Sequence, residues 1–261
     1  MRFYLGTHET SWLSRLTVPL FVSARRLRAR RGLPRSAGRW ALDSGGFSEL
    51  SMYGEWRTSA ATYAAEVDRF AAEVGGLDWA APQDWMCEPT IRQITGLTVG
   101  EHQRRTVASV LELRQLVRGV PVIPVLQGWT VADYLRCADM YEAEGISLAA
   151  EMTVGVGTVC RRQSTAEGVA IVRALAGRGY RLHGFGIKRQ GIAQVGCLLQ
   201  SSDSLAWSYA AVRRPVRLPG CAHGKDGLGN CANCIRWAMQ WRRETVSAIP
   251  AVSLQTAMPW A

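Results

Sequence analysis

Three aspartates lie in sequence contexts where a carboxyl group could do chemistry. They are Asp43 in ALDSGGF, Asp84 in APQDWMCEP and Asp203 in QSSDSLAW. A carboxyl group can transfer a proton, attack an electrophile or accept the N–H groups of a flat ligand. Each aspartate also has a simpler interpretation. Asp43 could cap a turn, Asp84 could be solvated, and Asp203 could be the N-cap of a helix.

The residues around two of these aspartates favour a ligand. Gly45 and Gly46 follow Asp43 and would leave room for a flat ligand against the backbone. Two tryptophans and a methionine lie near Asp84 in the sequence, an environment suited to gripping an aromatic base through its N–H groups.

An amide and a glycine pair follow two further apolar runs. Gln127, in VLQGW, is either a satisfied core amide or a bidentate reader of a base edge, and taken alone the core amide is favoured. Gly155 and Gly157, in TVGVGTVCRR with Arg161 and Arg162, are typical of a cradle for a phosphate or a base. The stretch lacks the G-x-G-x-x-G spacing and the lysine of a P-loop, so by itself it is a weak signal.

Four soft metal ligands stand close together near the end of the chain. They are Cys221, His223, Cys231 and Cys234, in CAHGKDGLGNCANC. This spacing, with its C-x-x-C knuckle, favours a tetrahedral zinc site over free thiols and an unrelated histidine. Four protein ligands leave no open coordination position, so the predicted zinc is structural.

Apolar runs alternate with amphipathic helical patterns along the chain, which is typical of parallel βα units. The strand candidates begin near residues 3, 40, 77, 120, 146, 180 and 196. Capping-box spacings mark helix starts at Thr98 with Glu101, Thr130 with Asp133 and Ser164 with Glu167. The pattern predicts an α/β fold, a (β/α)8 TIM barrel with one strand not located.

Polar residues fall repeatedly where the predicted strands end. In (β/α)8 barrels the chemistry lies at the carboxyl ends of the strands. The predicted rim contains Asp43, Asp84, Gln127, Gly155, Gly157, Lys188 and Asp203. One polar residue at a strand end is ordinary, because turns are polar, but several at equivalent places indicate a binding rim.

The composition predicts a globular, basic protein. Hydrophobic residues make up 48% of the chain, the net charge is +10, and all but two of the 31 basic residues are arginine. Arginine binds phosphate bidentately, which favours a nucleic-acid partner, although a GC-rich genome also produces arginine-rich chains. The seven arginines of residues 25–39 could be a solvated face or a clamp on a nucleic-acid backbone. With no secretory signal and no membrane-spanning stretch, a soluble cytoplasmic protein is expected.

The order of these motifs resembles the tRNA-guanine transglycosylase superfamily. DSGGF, D-x-x-CEP, LQG, a glycine pair, a late aspartate and a Cys/His cluster follow one another over about residues 40 to 240. The chain is most similar to the smaller relatives, in phages and bacterial DNA-modification clusters, that exchange guanine in DNA for a 7-deazaguanine. Ser48 after DSGGF, the altered zinc-ligand spacing and the short chain differ from the tRNA enzymes and favour DNA.

The resemblance implies roles for individual residues. Asp43 would act on the reacting sugar and base as a general acid, general base or positioning carboxylate, and Asp203 would be the nucleophile. Asp84 and Gln127 would bind the Watson–Crick edge of the base. The other implied substrate-binding residues are Ser44, Gly45, Gly128, Gly155, Gly157 and Lys188.

The chemistry of base exchange leads to the same requirement. Retention of configuration at C1′ needs two inversions, and two inversions need a covalent glycosyl-enzyme intermediate. The base must leave the helix stack, unless the DNA is single-stranded, and Trp85 or Trp129 could stack on it.

The resemblance therefore implies a pentosyltransferase that exchanges guanine in DNA for a free base such as 7-cyano-7-deazaguanine, through an aspartyl-glycosyl intermediate. The same exchange on tRNA is one alternative. A catalytically inactive, zinc-containing protein that binds nucleic acid is another. Residues 1–220 are expected to form the catalytic barrel, and residues 221–261 a zinc-binding segment packed on it.

Overall fold

The structure, a computed structural model, describes residues 1–159, 162, 165–224 and 227–250. Within these residues, eight parallel strands form one sheet in the order β4-β3-β2-β1-β8-β7-β6-β5. The strands are β1 (Arg2–Thr7), β2 (Leu20–Ser23), β3 (Trp40–Asp43), β4 (Leu77–Ala80), β5 (Val125–Leu126), β6 (Val154–Val156), β7 (Leu182–Gly184) and β8 (Ser201–Ser204). The strand that the sequence did not locate is β2, whose apolar run is short.

Ten α-helices accompany the strands in the described part of the chain. They are α1 (Ala24–Arg28), α2 (Gly46–Tyr53), α3 (Ala60–Val74), α4 (Pro89–Thr95), α5 (Val99–Leu116), α6 (Val131–Ala143), α7 (Ala166–Gly177), α8 (Arg189–Val195), α9 (Ala206–Arg213) and α10 (Ile235–Ser247). At least one helix follows each strand except β1, which is followed by a short 3₁₀ helix, Thr10–Ser14. The predicted α/β class is therefore confirmed.

The two edges of the sheet, β4 and β5, approach each other at one isolated bridge between Ala80 and Val122. The Ala80 N–H donates to the Pro121 carbonyl at 3.0 Å, and the Ile123 N–H donates to the Ala80 carbonyl at 3.1 Å. Pro121 and Pro124 have no N–H to extend the ladder. Strand β5 is therefore only two residues long, shorter than the apolar run from residue 120 predicts.

The last strand lies further along the chain than its apolar run indicates. Residues Gly196–Leu198 form a 3₁₀ helix, and β8 consists of the polar sequence SSDS. Its side chains have partners inside the sheet: the Ser202 hydroxyl, for example, donates to the Gly184 carbonyl at 2.7 Å. Pairing with β1 and β7 outweighs the weak strand propensity of these residues, and Asp203 lies within the strand, not after it.

Two of the three predicted helix starts have the expected caps. The Thr98 side chain accepts the Glu101 N–H at the start of α5. Thr130 and Asp133 form a reciprocal capping box at the start of α6. For α7 the N-cap is Thr165, whose side chain accepts the Gly168 N–H, and the predicted cap Ser164 lies outside the described residues.

Helix α10 packs against the sheet beside β1. The Trp241 and Phe3 ring centroids are 6.1 Å apart, and the Trp237 Nε1–H donates to the Trp207 carbonyl at 3.0 Å. Ala238 and Trp241 belong to the same hydrophobic core as the strands. Residues 251–261, the end of the predicted C-terminal segment, lie outside the described residues. Among the described helices, none has the length and apolar character needed to span a membrane.

Candidate active site

The carboxyl ends of the strands surround a cavity of about 270 Å³ that three predicted aspartates share. Asp43, Asp84 and Asp203 all line it. Other lining residues are Phe21, Phe47, Met86, Glu88, Thr158 and Phe185. Small-molecule pockets usually measure about 300–1,000 Å³, so this one is suited to a single flat base.

Asp43 is the last residue of β3, and the backbone turns sharply after it. Gly45 takes the left-handed conformation, with φ of 86°, and its N–H donates a hydrogen bond to the Asp43 carboxylate. The Ser23 side chain on β2 donates a second hydrogen bond. Burial raises the pKa of Asp43, and the neighbouring Asp203 raises it further. The buried Ser44 hydroxyl has no hydrogen-bond partner among the described residues.

Asp84 is held by Gln127. The Gln127 Nε2 donates to Asp84 Oδ2 at 2.6 Å, and its Oε1 accepts the Thr158 hydroxyl at 2.6 Å. Burial and then the nearby Asp43 raise the pKa of Asp84 to about 7, while the Gln127 hydrogen bond opposes that rise. Gln127 is fully buried behind the cavity and does not line it. In this geometry Gln127 orients Asp84, and the carboxyl group of Asp84 faces the ligand space.

The Thr158 hydroxyl contacts several polar groups, and the backbone at this residue is strained. Its φ of 57° is rare for a β-branched residue and costs about 1–3 kcal/mol. The Thr158 hydroxyl accepts the Cys87 N–H at 2.9 Å and lies 3.2 Å from Glu88 Oε2. The preceding residue, Gly157, has no room for a side chain, because a Cβ there would lie 2.2 Å from Gln127 Nε2. Glu88 is a buried carboxyl group that also lines the cavity, and its sequence context did not indicate a role.

Asp203 is contacted through one carboxylate oxygen. Its Oδ1 accepts the Gly186 N–H at 3.0 Å and lies 3.3 Å from His183 Nε2. His183 is fully buried, and its Nδ1 lies 2.9 Å from the Ser201 hydroxyl. His183 is a site residue that the sequence did not indicate. Its one signal is its position in the apolar run YRLHGFG, directly before the glycine that ends β7.

The remaining predicted glycines and Lys188 lie around this centre. A Cβ at Gly155 would lie 2.5 Å from the Phe185 ring, so this glycine leaves space for a cavity-lining side chain. Gly128 packs against Tyr134, where a Cβ would lie 2.9 Å from the ring. Lys188 lines a neighbouring cavity of about 370 Å³. Arg161, predicted beside the glycine pair, lies outside the described residues.

The two tryptophans expected to stack on the base do not line the cavity. Guanidinium groups cover their rings instead: Arg105 lies 4.5 Å from the Trp85 centroid, and Arg162 lies 4.0 Å from the Trp129 centroid. The aromatic lining comes from three phenylalanines, of which Phe47, directly after the two glycines of DSGGF, is 45% exposed.

The Cys/His cluster has the geometry of a metal site. The ligand atoms of Cys221, His223, Cys231 and Cys234 all lie within 4.8 Å of one another. The sulfurs of Cys221 and Cys234 are 3.8 Å apart, which matches the edge of a tetrahedron with metal–sulfur bonds of about 2.3 Å. The buried His223 Nε2 has no hydrogen-bond partner among the described residues. These four side chains could therefore bind a metal ion.

Several arginines of the basic run make contacts within the protein. Arg25 lies 3.3 Å from Glu49, Arg28 lies 2.6 Å from Glu66, and Arg39 pairs with the buried Asp78. Arg26 and Arg31 are exposed. A contact between the run and a nucleic-acid backbone stays a prediction.

One protein family matches the whole sequence. The model of the family DpdA, described as DeoxyPurine in DNA protein A, matches residues 1–261. This is a DNA-guanine transglycosylase family related to the tRNA-guanine transglycosylase superfamily, so the predicted relationship is confirmed. No curated protein matches the sequence.

Proposed function

Because the chain belongs to the DpdA family of DNA-guanine transglycosylases, we propose that it exchanges guanine in DNA for a free 7-deazaguanine base such as 7-cyano-7-deazaguanine. The observation that carries the proposal is the shared cavity of Asp43, Asp84 and Asp203. One carboxyl group forms the covalent bond, the second moves protons, and the third holds the base.

In the first half of the exchange, the Asp203 carboxylate attacks C1′ of the deoxyribose. The C1′–N9 bond breaks, and its electron pair leaves with guanine. Asp43 gives a proton to the departing base, which leaves as neutral guanine. A buried carboxyl group with a raised pKa is suited to this step, because it keeps its proton closer to neutral pH.

In the second half, the 7-deazaguanine occupies the same cavity. Its N9 attacks C1′, the ester bond to Asp203 breaks, and Asp43 takes the N9 proton. Two inversions restore the configuration at C1′, and both carboxyl groups return to their starting states. Asp84 accepts the N1–H and 2-amino groups that the departing and incoming bases have in common, so it serves both halves.

The cavity of about 270 Å³ lies at the carboxyl ends of the strands, where a base that is still paired and stacked in a duplex cannot reach the lining carboxyl groups. The target guanosine is therefore extruded from a duplex, or is presented on a single strand. In this proposal the Phe47 ring, which lines the cavity and is 45% exposed, stacks on the extruded base.

The proposal also includes the architecture of the protein. Residues 1–220 form a (β/α)8 barrel that closes through the Ala80–Val122 bridge, with the catalytic groups at its carboxyl end. Cys221, His223, Cys231 and Cys234 hold a structural zinc ion in a C-terminal segment, residues 221–261, packed on the barrel. The enzyme works in the cytoplasm, where its DNA substrate lies.

Labelled guanine tests the exchange directly. The protein is incubated with it and with guanine-containing DNA, as duplex or single strand, or with tRNA. We expect label in DNA, and a covalent protein–DNA adduct mapped by mass spectrometry to Asp203. Asp203→Ala should abolish both signals. Label in tRNA alone would transfer the proposal to the tRNA reaction, and binding without exchange would favour the inactive accessory protein.

A further inference from the structure

We infer that His183 is a positioning residue that holds Oδ1 of Asp203 and so makes Oδ2 the oxygen that attacks C1′. The inference rests on the proposed role of Asp203 as the nucleophile. It assigns a function to a fully buried histidine that lies outside the cavity lining.

The two oxygens of the Asp203 carboxylate are in different environments. Oδ1 lies 3.0 Å from the Gly186 nitrogen and 3.3 Å from His183 Nε2. None of the hydrogen bonds between described residues uses Oδ2. Asp203 lines the cavity. The oxygen without a hydrogen bond is the better nucleophile, because its lone pairs are not shared with a donor.

The pairing register of the sheet produces this arrangement. His183 on β7 is the direct partner of Ser201 on β8. Ser201 and Asp203 are two residues apart on one strand and therefore point to the same face. His183 thus contacts both: its Nδ1 lies 2.9 Å from the Ser201 hydroxyl, and its Nε2 faces Asp203.

Hydrogen-bond chemistry fixes the tautomer of the imidazole. An ionised carboxylate only accepts hydrogen bonds, so His183 Nε2 carries the hydrogen. Nδ1 then accepts the hydroxyl hydrogen of Ser201 at 2.9 Å. One proton on the ring satisfies both contacts, because the Ser201 hydroxyl can donate to Nδ1 while the carboxylate accepts the N–H of Nε2.

Aromatic packing keeps the ring in this position. The centroids of Trp79 and Phe185 each lie 4.7 Å from that of His183, and both rings meet it edge to face. The ring centroids of Tyr4 and Phe21 lie 6.0 and 5.9 Å from that of His183. A side chain enclosed in this way is held before the substrate arrives, which is the condition for a preorganised catalytic site.

Two variants distinguish the effect of the His183 N–H donor from the effect of the volume of its ring. His183→Leu removes the N–H and fills part of the space. His183→Gln places an amide N–H near the position of Nε2. With labelled guanine and a guanine-containing oligonucleotide, we expect kcat of His183→Leu to fall about 10- to 100-fold, somewhat less than for loss of an oxyanion-hole donor. KM should stay within about twofold, because His183 does not touch the base.

His183→Gln should recover most of the lost kcat, and Ser201→Ala should show a smaller loss of kcat at unchanged KM. The rate of adduct formation in a single turnover should follow the same order. Wild-type kcat in His183→Leu would overturn the inference. Equal losses in the Leu and Gln variants would also overturn it, since packing alone would then explain the effect. A wild-type protein without exchange activity would instead refute the proposed function.

Discussion

Gln127 Nε2 lies 2.6 Å from Oδ2 of Asp84, and the other end of the same amide accepts a hydrogen bond from Thr158. Both ends of the amide are thus fixed, with nitrogen toward the carboxylate and oxygen toward the hydroxyl. The contact favours the ionised form of Asp84, whereas burial and Asp43 disfavour it, and the balance leaves the pKa at about 7. The pH dependence of the exchange should therefore report on this pair.

The first prediction concerns that pH dependence. Asp84 has to be ionised to accept both N–H groups of the base, so kcat/KM should fall as the pH drops below about 7. Gln127→Met keeps a side chain of similar length and removes the amide donor. This change should move the acidic limb to higher pH. A pH series of initial rates between 5.5 and 9 checks both expectations, and a profile that is flat from pH 6 to 8 would contradict them.

The ionised form of Asp84 should also lower the free energy of unfolding at alkaline pH. Its pKa rises from 3.8 to about 7 on folding, so the folded protein binds the additional proton between these values. The free energy of unfolding therefore loses a contribution as pH rises through this range. Asp84→Asn removes the ionisable group. The free energy of unfolding of this variant, relative to that of the wild type, should be higher at pH 8 than at pH 5 by on the order of 1–3 kcal/mol. Urea unfolding at the two pH values measures it. An equal gain at the two pH values would show that ionisation is not the cause.

Local motifs explain how much of the site could be predicted from the sequence. Asp43 stands beside its glycine pair, and the four Cys and His side chains that could bind a metal ion lie within one short stretch, so neighbouring residues indicate both. His183 is different, because its contacts with Ser201 and Asp203 come from the register between β7 and β8. Strand β8 was also misplaced, since apolar periodicity cannot reveal a strand made of SSDS. The position of Thr158 at positive φ has no sequence signal, as threonine rarely adopts it.

Gly157 should be essential for the orientation of Gln127. A methyl group at this position would lie 2.2 Å from Gln127 Nε2, so Gly157→Ala has to displace the amide that holds Asp84. We expect kcat/KM to fall at least tenfold, since misplaced positioning groups have large effects on rate. Gly177→Ala in α7 is the matched control. A Cβ there meets nothing within 4 Å, and stability should be unchanged or slightly higher. Similar activity in the two variants would remove this role from Gly157.

Asp43→Asn tests proton transfer apart from covalent bond formation. Asparagine keeps the size of the side chain and an oxygen that can accept the Gly45 N–H, but it cannot donate the proton to guanine. Loss of a general acid and base should lower kcat about 10²- to 10⁴-fold. The protein should still bind guanine-containing DNA, which fluorescence anisotropy measures. An exchange rate within threefold of the wild type would assign the proton transfer to another group.

Zinc should stabilise the protein without taking part in the exchange. Cys231 and Cys234 are buried beside the start of α10, the helix that packs on Phe3 and completes the core. Cys234→Ser should reduce the bound zinc, expected at about one ion per chain by elemental analysis, and lower the melting temperature by roughly 5–10 °C. The exposed Cys197 is the control, and Cys197→Ser should change neither quantity. Because the four ligands leave no open position, the zinc-depleted protein should keep its exchange activity below its melting temperature. A zinc-depleted protein that is folded but inactive would show that the metal acts in the reaction.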